Sequence, residues 1–284
     1  MKYSELANFY NDLESTTKRL EKTHIISEFL KKINKKDVSH LAYLISGKVF
    51  PSWDERKLGV SSRLILKALE KSTGIQASKV ERLWAKKGDL GLVSEEISSK
   101  SKQTTLQTIN LTTKKVFENI RKLSSLEGTG TVDRKLGLIS ELLTSAEPLE
   151  AKYIVRTVLE DMRTGVATGA FRDAITWAFF GEKLGLEYFQ KENNFTVPDR
   201  EEYNKFAERV QHAYDLSNDF SLVIETLIEK GEGGLNDIKL TIGKPINVML
   251  YKKVENIKEG FEKVGSPCAV EVKLDGFRVL VNKD

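Results

Sequence analysis

Apolar side chains recur at helical spacing from the N-terminus to about Lys230, and this pattern restricts the fold of the chain more than any other feature. The first such run is Leu6, Phe9, Tyr10 and Leu13. Comparable runs predict helices over residues 38–46, 80–85, 113–123, 134–144, 150–162, 171–180, 200–216 and 220–228. A further helix is expected between a serine cap at Ser61 or Ser62 and a glycine stop at Gly74. We therefore predict a mainly α N-terminal domain over residues 1–228.

The character of the sequence changes after the glycine-rich joint at residues 231–234. The apolar runs that follow are short and typical of strands, over residues 239–242, 246–250, 269–272 and 277–281. The Asp275-Gly276 pair between two of these runs is a hairpin signal. Residues 229–284 are therefore predicted to be the truncated start of an α/β domain with a mixed antiparallel sheet. Because this segment is shorter than an ordinary domain, we expect a longer parent protein.

Two polar segments are predicted to be loops. Residues 94–113 are rich in serine, threonine, lysine and glutamine, and residues 194–198 combine asparagine with proline. Trp53, Trp84 and Trp177 fall in apolar helical settings, so we expect all three in the core.

Charge and cysteine usage narrow the class of protein. The net charge of +4 is the difference between 45 basic and 41 acidic residues, so it permits a polyanionic partner without requiring one. The single cysteine, Cys268, excludes an internal disulfide and fits a reducing compartment. No secretion signal and no apolar run of about 20 residues is found, which predicts a cytoplasmic protein without a membrane span. The histidines and Cys268 lack metal-ligand spacing, so no metal site is predicted in this chain.

One short run carries candidate chemistry. In an extended strand, Glu271, Lys273 and Asp275 would share one face, opposite the apolar face of Val270, Val272 and Leu274. A lysine amine becomes a nucleophile at neutral pH when desolvation or nearby cations lower its pKa. Arg278 would present a forked donor to a phosphate or ribose. The alternative is a solvated lysine before an ordinary β-turn.

The run that contains Glu271, Lys273, Asp275, Gly276 and Arg278 resembles the first signature motif of the covalent nucleotidyltransferases. That superfamily includes DNA ligases, RNA ligases and mRNA-capping enzymes. The resemblance implies that Lys273 takes AMP from ATP, that Glu271 recognises the adenine, and that Arg278 binds the ribose or phosphate. It also implies that Asp275 and Gly276 hold the loop and that Mg²⁺ neutralises the phosphates.

The helical part resembles the N-terminal DNA-binding domain of archaeal and eukaryotic replicative ATP-dependent DNA ligases. Residues 50–53, 88–91, 131–135, 147–153, 161–169 and 242–250 carry this resemblance. It implies a nick-sealing enzyme of DNA replication, repair and recombination, with nicked duplex DNA as partner and, in a prokaryote, a nucleoid-associated location. The later motifs and the OB-fold of the family are expected beyond Asp284, so this chain alone is expected to be deficient in ligation. A non-catalytic DNA-binding module and an RNA-acting nucleotidyltransferase remain alternatives.

Two glycine-containing loops are predicted to contact DNA phosphates without reading sequence. Glycines let backbone N–H groups approach a phosphate closely, and a following helix N-terminus favours an anion. The residues expected to make these contacts are Gly128, Gly130, Arg134, Lys135, Arg163, Gly165, Thr168 and Gly169. Plain helix–turn–helix connections are the alternative. A second group of basic residues, expected to be a solvated helix face, is Lys114, Lys115, Arg121 and Lys122.

The polar loop holds one further candidate. Residues 103–109, which include Gln103, Leu106 and Ile109, lie where the family often carries a sliding-clamp-binding segment. The aromatic residues of such segments are missing here. A disordered loop without a partner is therefore the alternative.

Overall fold

The computed structural model describes residues 1–100, 110–245, 253–272, 275–276, 279, 281 and 283. The α-helices are α1 (Tyr3–Ser15), α2 (Arg19–Lys31), α3 (Val38–Leu44), α4 (Ser62–Thr73), α5 (Ala77–Lys87), α6 (Leu90–Lys100), α7 (Thr113–Lys122), α8 (Thr131–Ser145), α9 (Pro148–Val158), α10 (Thr168–Phe180), α11 (Arg200–Ser217), α12 (Phe220–Lys230) and α13 (Ile257–Val264). Short 3₁₀ helices cover Leu123–Ser125 and Glu232–Asp237, and strands β1 (Glu187–Phe189) and β2 (Asn194–Thr196) form an antiparallel hairpin. The predicted helical domain is confirmed.

Local capping sets both ends of α4 where the sequence predicts them, whereas α9 spans Pro148–Val158 instead of the predicted residues 150–162. The Ser61 side chain accepts a hydrogen bond from the Leu64 backbone N–H at the start of α4, and Gly74 ends the helix at a φ of 73°. Helix α9 begins at Pro148, and Glu147 and Glu150 form a capping box around its first turn. Burial raises the pKa of Glu150.

The helices pack around one continuous hydrophobic cluster. The most extensive helix pairs are α6 with α9, α2 with α10, and α4 with α8. Leu235 and Ile238 also belong to this cluster, because the 3₁₀ turn after α12 folds back onto that helix. The division into domains at residues 228 and 229 stays a prediction. Within the described residues, no helix is both long and apolar enough to cross a membrane.

The prediction of a loop over residues 94–113 is wrong for its first part, because residues 94–100 complete helix α6. The Asp89 carboxylate accepts hydrogen bonds from the backbone N–H groups of Gly91 (2.7 Å) and Leu92 (3.2 Å), which starts the helix. Val93 and Ile97, four positions apart, are buried and make the helix amphipathic despite its polar composition. Residues 101–109 lie outside the described part of the chain.

The prediction of a loop over residues 194–198 is also wrong in part, because β2 pairs with β1 in the register Tyr188 opposite Phe195. Both rings pack on Trp177, with centroid distances of 5.6 and 5.0 Å. Burial of Trp177 is therefore confirmed, whereas Trp53 and Trp84 are only half-buried. Trp84 lies on α5, whose one fully buried side chain is Val80, and Trp53 lies in an irregular segment under Lys244.

The predicted strands at residues 239–242 and 269–272 are not formed in the described structure. A strand is stable only when its backbone groups pair with a neighbour. Neither segment has a pairing partner among the described residues, and the side chains of Val270 and Val272 are each 84% exposed. The other two predicted strands lie wholly or largely outside those residues.

Candidate nucleic-acid interface

The segment between α3 and α4, residues 45–61, packs near both glycine-containing loops that are predicted to contact DNA. At one end, the Lys135 ammonium donates to the carbonyls of Leu58 (2.7 Å) and Gly59 (3.1 Å). At the other end, Gly47 adopts a φ of 69° and packs directly against the side chain of Met162. The α3–α4 segment therefore contacts helix α8, which directly follows the first glycine loop, and also contacts the second glycine loop.

The first glycine loop precedes α8 and is open to solvent. Gly128 and Gly130 have φ values of 79° and 76°, and no atom lies within 4 Å of the position that a Cβ would take at either residue. The Arg134 guanidinium is exposed and donates to the carbonyls of Glu127 (2.7 Å) and Thr129 (3.3 Å). Arg134 thus shapes the loop while adding a positive charge beside it.

Lys135, in contrast, is buried. Its amine is engaged by the two carbonyls of the α3–α4 segment, so it links α8 to that segment instead of lying on the surface. The sequence could not separate it from Arg134, because adjacent helix positions differ in burial only through their tertiary neighbours.

The second glycine loop connects α9 to α10 and contains left-handed residues at Glu160 (φ 56°), Arg163 (φ 56°) and Gly165 (φ 61°). The buried Lys22 ammonium donates to the carbonyls of Thr164 (2.5 Å) and Gly165 (3.2 Å). This contact fixes a conformation that non-glycine residues seldom adopt. The loop is therefore held in one shape.

The start of α10 presents unpaired N–H groups. Ala167, which precedes the helix, has no side-chain cap, and the N–H groups of Ala170 and Phe171 both bond to its carbonyl. In the described structure the N–H groups of Thr168 and Gly169 form no hydrogen bond. A helix start of this kind carries partial positive charge and favours an anion.

A network of charged residues in the protein interior lies next to the second glycine loop. Arg156, which is 3% exposed, lies 2.7 Å from Asp89 Oδ2 and 2.8 Å from Glu14 Oε2. The Lys152 ammonium lies 2.8 Å from the same Glu14 oxygen, and the Tyr153 hydroxyl donates to it at 2.8 Å. Helices α1 and α9 and the start of α6 are thereby tied together.

These contacts keep the carboxylates ionised. Burial alone would raise the pKa of Glu14, but the hydrogen bonds from Arg156, Lys152 and Tyr153 outweigh it and lower that pKa to about 2. Burial also opposes ionisation of Asp89, and Arg156 again lowers the pKa.

The network reaches the surface at Arg163. Its Nη1 atom lies 3.4 Å from Asp89 Oδ2, and its Nε atom lies 2.7 Å from Asp161. Because its side chain is 46% exposed, the guanidinium remains accessible to a ligand.

Two clefts flank the α3–α4 segment. The first is bounded by that segment, the second glycine loop and the start of α12, and its walls include Lys48, Thr164 and Thr168. The second lies between the same segment and Met162. The guanidinium of Arg56, which lines the second cleft, stacks 4.1 Å from the Phe50 ring centroid.

Several basic residues here were not predicted from the sequence, namely the surface residues Arg19, Lys48 and Arg56 and the buried Lys22. No local motif marks them. Of the group predicted as a solvated helix face, Lys114, Lys115 and Lys122 are exposed, while Arg121 is half-buried with its guanidinium 5.0 Å from the Phe50 ring centroid.

Only part of the run that resembles a nucleotidyltransferase motif lies within the described residues. Glu271, Asp275 and Gly276 are exposed, whereas Lys273 and Arg278 lie outside the described residues, as does the clamp candidate at residues 103–109. Among the described residues, no group of three or more His, Cys, Asp or Glu side chains could hold a metal ion.

Exposed arginines in or beside two glycine loops that precede helices make this part of the chain a candidate nucleic-acid-binding surface. Residues 2–176 match the family model described as DNA ligase N terminus, and the chain belongs to that family. It is similar to proteins named DNA ligase from Thermococcus fumicolans (38% identical over 284 residues), Thermococcus onnurineus (39% over 284 residues) and Nanoarchaeum equitans (36% over 283 residues). Each alignment covers 100% of this chain and 46% of the relative. The chain therefore spans about half the length of these curated relatives.

Proposed function

We propose that this chain is the DNA-binding and AMP-accepting front part of an ATP-dependent DNA ligase that seals nicks in duplex DNA. The family assignment and the names of the relatives support this proposal. The observation that carries it is the α3–α4 segment, which contacts helix α8 after the first glycine loop through Lys135 and the second glycine loop through Met162. We also propose a division into a domain over residues 1–228 and the start of a second domain from residue 229, in a cytoplasmic protein of DNA replication, repair and recombination.

An enzyme that seals nicks of any sequence must bind the sugar–phosphate backbone rather than base edges. We assign this binding to the backbone N–H groups around Gly128 and Gly130 and at Thr168 and Gly169. The exposed guanidiniums of the two loops, Arg134 and Arg163, would add charge-assisted contacts. Gly165 gives its loop the required left-handed turn, and Lys135 supports the surface from inside.

The chemical step is assigned to Lys273. Its amine nitrogen would form a bond to the α-phosphorus of ATP, with loss of the amine proton and departure of pyrophosphate. The AMP would then pass to the 5′-phosphate of the nick, and attack by the 3′-hydroxyl would join the strands and release AMP. Glu271 would recognise the adenine and Arg278 the ribose or phosphate, while Asp275 and Gly276 would hold the loop. A bound Mg²⁺ would neutralise phosphate charge, and we assign it no ligand among the described residues.

Binding and chemistry can be tested separately. The chain is titrated into a fluorescent nicked DNA duplex, with a nicked RNA duplex of the same sequence as competitor. We expect preferential binding to DNA, and either no binding or a preference for RNA would overturn the proposal. Incubation of the longer parent protein with ATP followed by intact-mass measurement is expected to add one AMP, and none to its Lys273→Arg variant. Binding of DNA without the added mass would favour a non-catalytic module.

Nick sealing itself is expected to need the longer parent protein, since the chain spans 46% of its relatives. In that protein, Lys273→Arg should abolish sealing, and residual sealing would exclude Lys273 as the nucleophile. A sliding-clamp contact through residues 103–109 is a separate proposal. Deletion of residues 101–109 should then abolish clamp binding and leave DNA binding unchanged.

A further inference from the structure

A cavity beside the start of α10 brings together three arginines from different helices. Arg19 comes from α2, Arg172 from α10 and Arg200 from α11. Phe195 from the hairpin and Tyr203 from α11 complete its apolar wall. Arg172 and Arg200 belong to none of the contacts proposed above.

The cavity has more positive than negative charge. The buried Asp173 carboxylate pairs with both Arg19 (2.6 Å) and Arg172 (2.5 Å), so one anion neutralises only one of two guanidiniums. The third guanidinium, that of Arg200, forms no ion pair among the described residues. Glu208 is the second carboxylate that lines the cavity. Three cations against two anions leave one net positive charge there.

Aromatic rings hold Arg200 in place. Its guanidinium carbon lies 4.9 Å from the ring centroids of both Phe195 and Tyr203. The Tyr203 ring is itself fixed, because its hydroxyl accepts a hydrogen bond from Trp177 Nε1 at 3.2 Å. A planar guanidinium presents forked N–H donors, and two of them can bind a phosphate.

The cavity adjoins the start of α10. Arg172 follows Thr168 by four positions, so the two side chains lie on the same face of the helix. The Arg19 Nη2 atom lies 3.5 Å from the position that a Cβ would take on Gly169. An anion bound at the N–H groups of Thr168 and Gly169 would therefore be next to Arg19, which also lines the cavity.

We propose that the cavity of Arg19, Arg172 and Arg200 binds a further backbone phosphate of the same nucleic acid that the start of α10 contacts. This inference rests on the proposed function. A phosphodiester fits because it is a compact monoanion that matches the one unneutralised positive charge. It would extend the interface from the second glycine loop across α10 to the start of α11, in line with sequence-independent contacts to the backbone.

The test compares Arg200→Gln with Arg82→Gln in the 284-residue chain. Arg82 is an exposed arginine on α5, a helix that packs against α4 and α6. The dissociation constant for a labelled nicked DNA duplex is measured by fluorescence anisotropy at several NaCl concentrations. Loss of one phosphate contact lowers the slope of log K against log salt by about 0.9, and we expect roughly three- to tenfold weaker binding near 0.1 M salt for Arg200→Gln. Arg82→Gln should match the wild-type chain.

A second variant adds a positive charge to the cavity. Asn204 lines the cavity and is exposed, so Asn204→Arg should bind the duplex more tightly and with a steeper salt dependence. Circular dichroism establishes that each variant is folded. Failure of the wild-type chain to bind the duplex would overturn the proposed function. Wild-type binding with unchanged affinity and salt slope in both Arg200→Gln and Asn204→Arg would overturn this inference alone.

Discussion

Asp89 Oδ2 lies 2.7 Å from the buried Nη2 atom of Arg156 and 3.4 Å from the exposed Arg163. One carboxylate thus connects the charge network of the helical core to a residue of the proposed DNA interface. The other oxygen of the same carboxylate caps the start of α6. This arrangement couples the stability of the domain to the position of the second glycine loop.

Asp89→Asn should destabilise the protein strongly. The amide can still cap α6, but it leaves Arg156 with Glu14 as its one carboxylate partner, and removal of one member of a buried ion pair costs about 3–5 kcal/mol. Urea unfolding monitored by circular dichroism measures the change. Asp161→Asn, which removes the exposed partner of Arg163, is the matched control and should cost less than about 1 kcal/mol. Equal effects of the two substitutions would refute a structural role for the network.

Acid should weaken the same network at Glu14. Its folded-state pKa of about 2 lies below the ordinary value of 4.5, so the ionised carboxylate contributes stability that is fully present above about pH 4.5. That contribution is lost as the pH falls towards 2. The difference in free energy of unfolding between the wild-type chain and Glu14→Gln should therefore be constant above pH 4.5 and shrink below it. Urea unfolding at a series of pH values measures this, with Glu118→Gln on the exposed face of α7 as control. A difference that does not change between pH 5 and pH 2.5 would contradict the assignment.

Gly47→Ala should be more harmful than Gly88→Ala, although both glycines have a φ of 69°. A left-handed conformation costs a non-glycine residue roughly 1–2 kcal/mol at either position. At Gly47 the added methyl group would also overlap the Met162 side chain, whereas the space at Gly88 is free. Overpacking adds about 1–3 kcal/mol. Thermal and urea denaturation of both variants measure the difference, and Gly47→Ala alone is expected to weaken DNA binding, because it displaces the second glycine loop.

Lys135→Met should reduce stability without removing a direct phosphate contact. The buried carbonyl of Leu58 would lose its donor, which costs about 1–3 kcal/mol. We expect weaker DNA binding with an unchanged salt slope, because no cation is removed from the interface itself. Lys122→Met, at an exposed position of α7, serves as the control for stability. A salt slope reduced by about 0.9 would instead show that the Lys135 ammonium contacts a phosphate.

Most helix positions could be predicted from the sequence, because capping and apolar periodicity depend on residues that are close in sequence. The serine cap at Ser61 and the glycine stop at Gly74 each act within a few residues of the helix end that they define. Helix α6 escaped prediction because the residues between and after its buried positions Val93 and Ile97 are polar. The hairpin strand β2 escaped because only three residues pair on each side.

The sequence by itself determined that the chain is mainly helical and that two glycine loops precede helices, and it shows the resemblance of the residues around Lys273 to a nucleotidyltransferase motif. Tertiary structure alone decided which basic residues reach the surface. Arg156 finds Glu14 across a separation of 142 residues, Lys135 turns inward to Leu58, and Arg19, Arg172 and Arg200 meet in one cavity. Capping and periodicity depend on neighbours in sequence, whereas ion pairing and burial depend on how distant helices pack, and no short stretch of sequence contains that information.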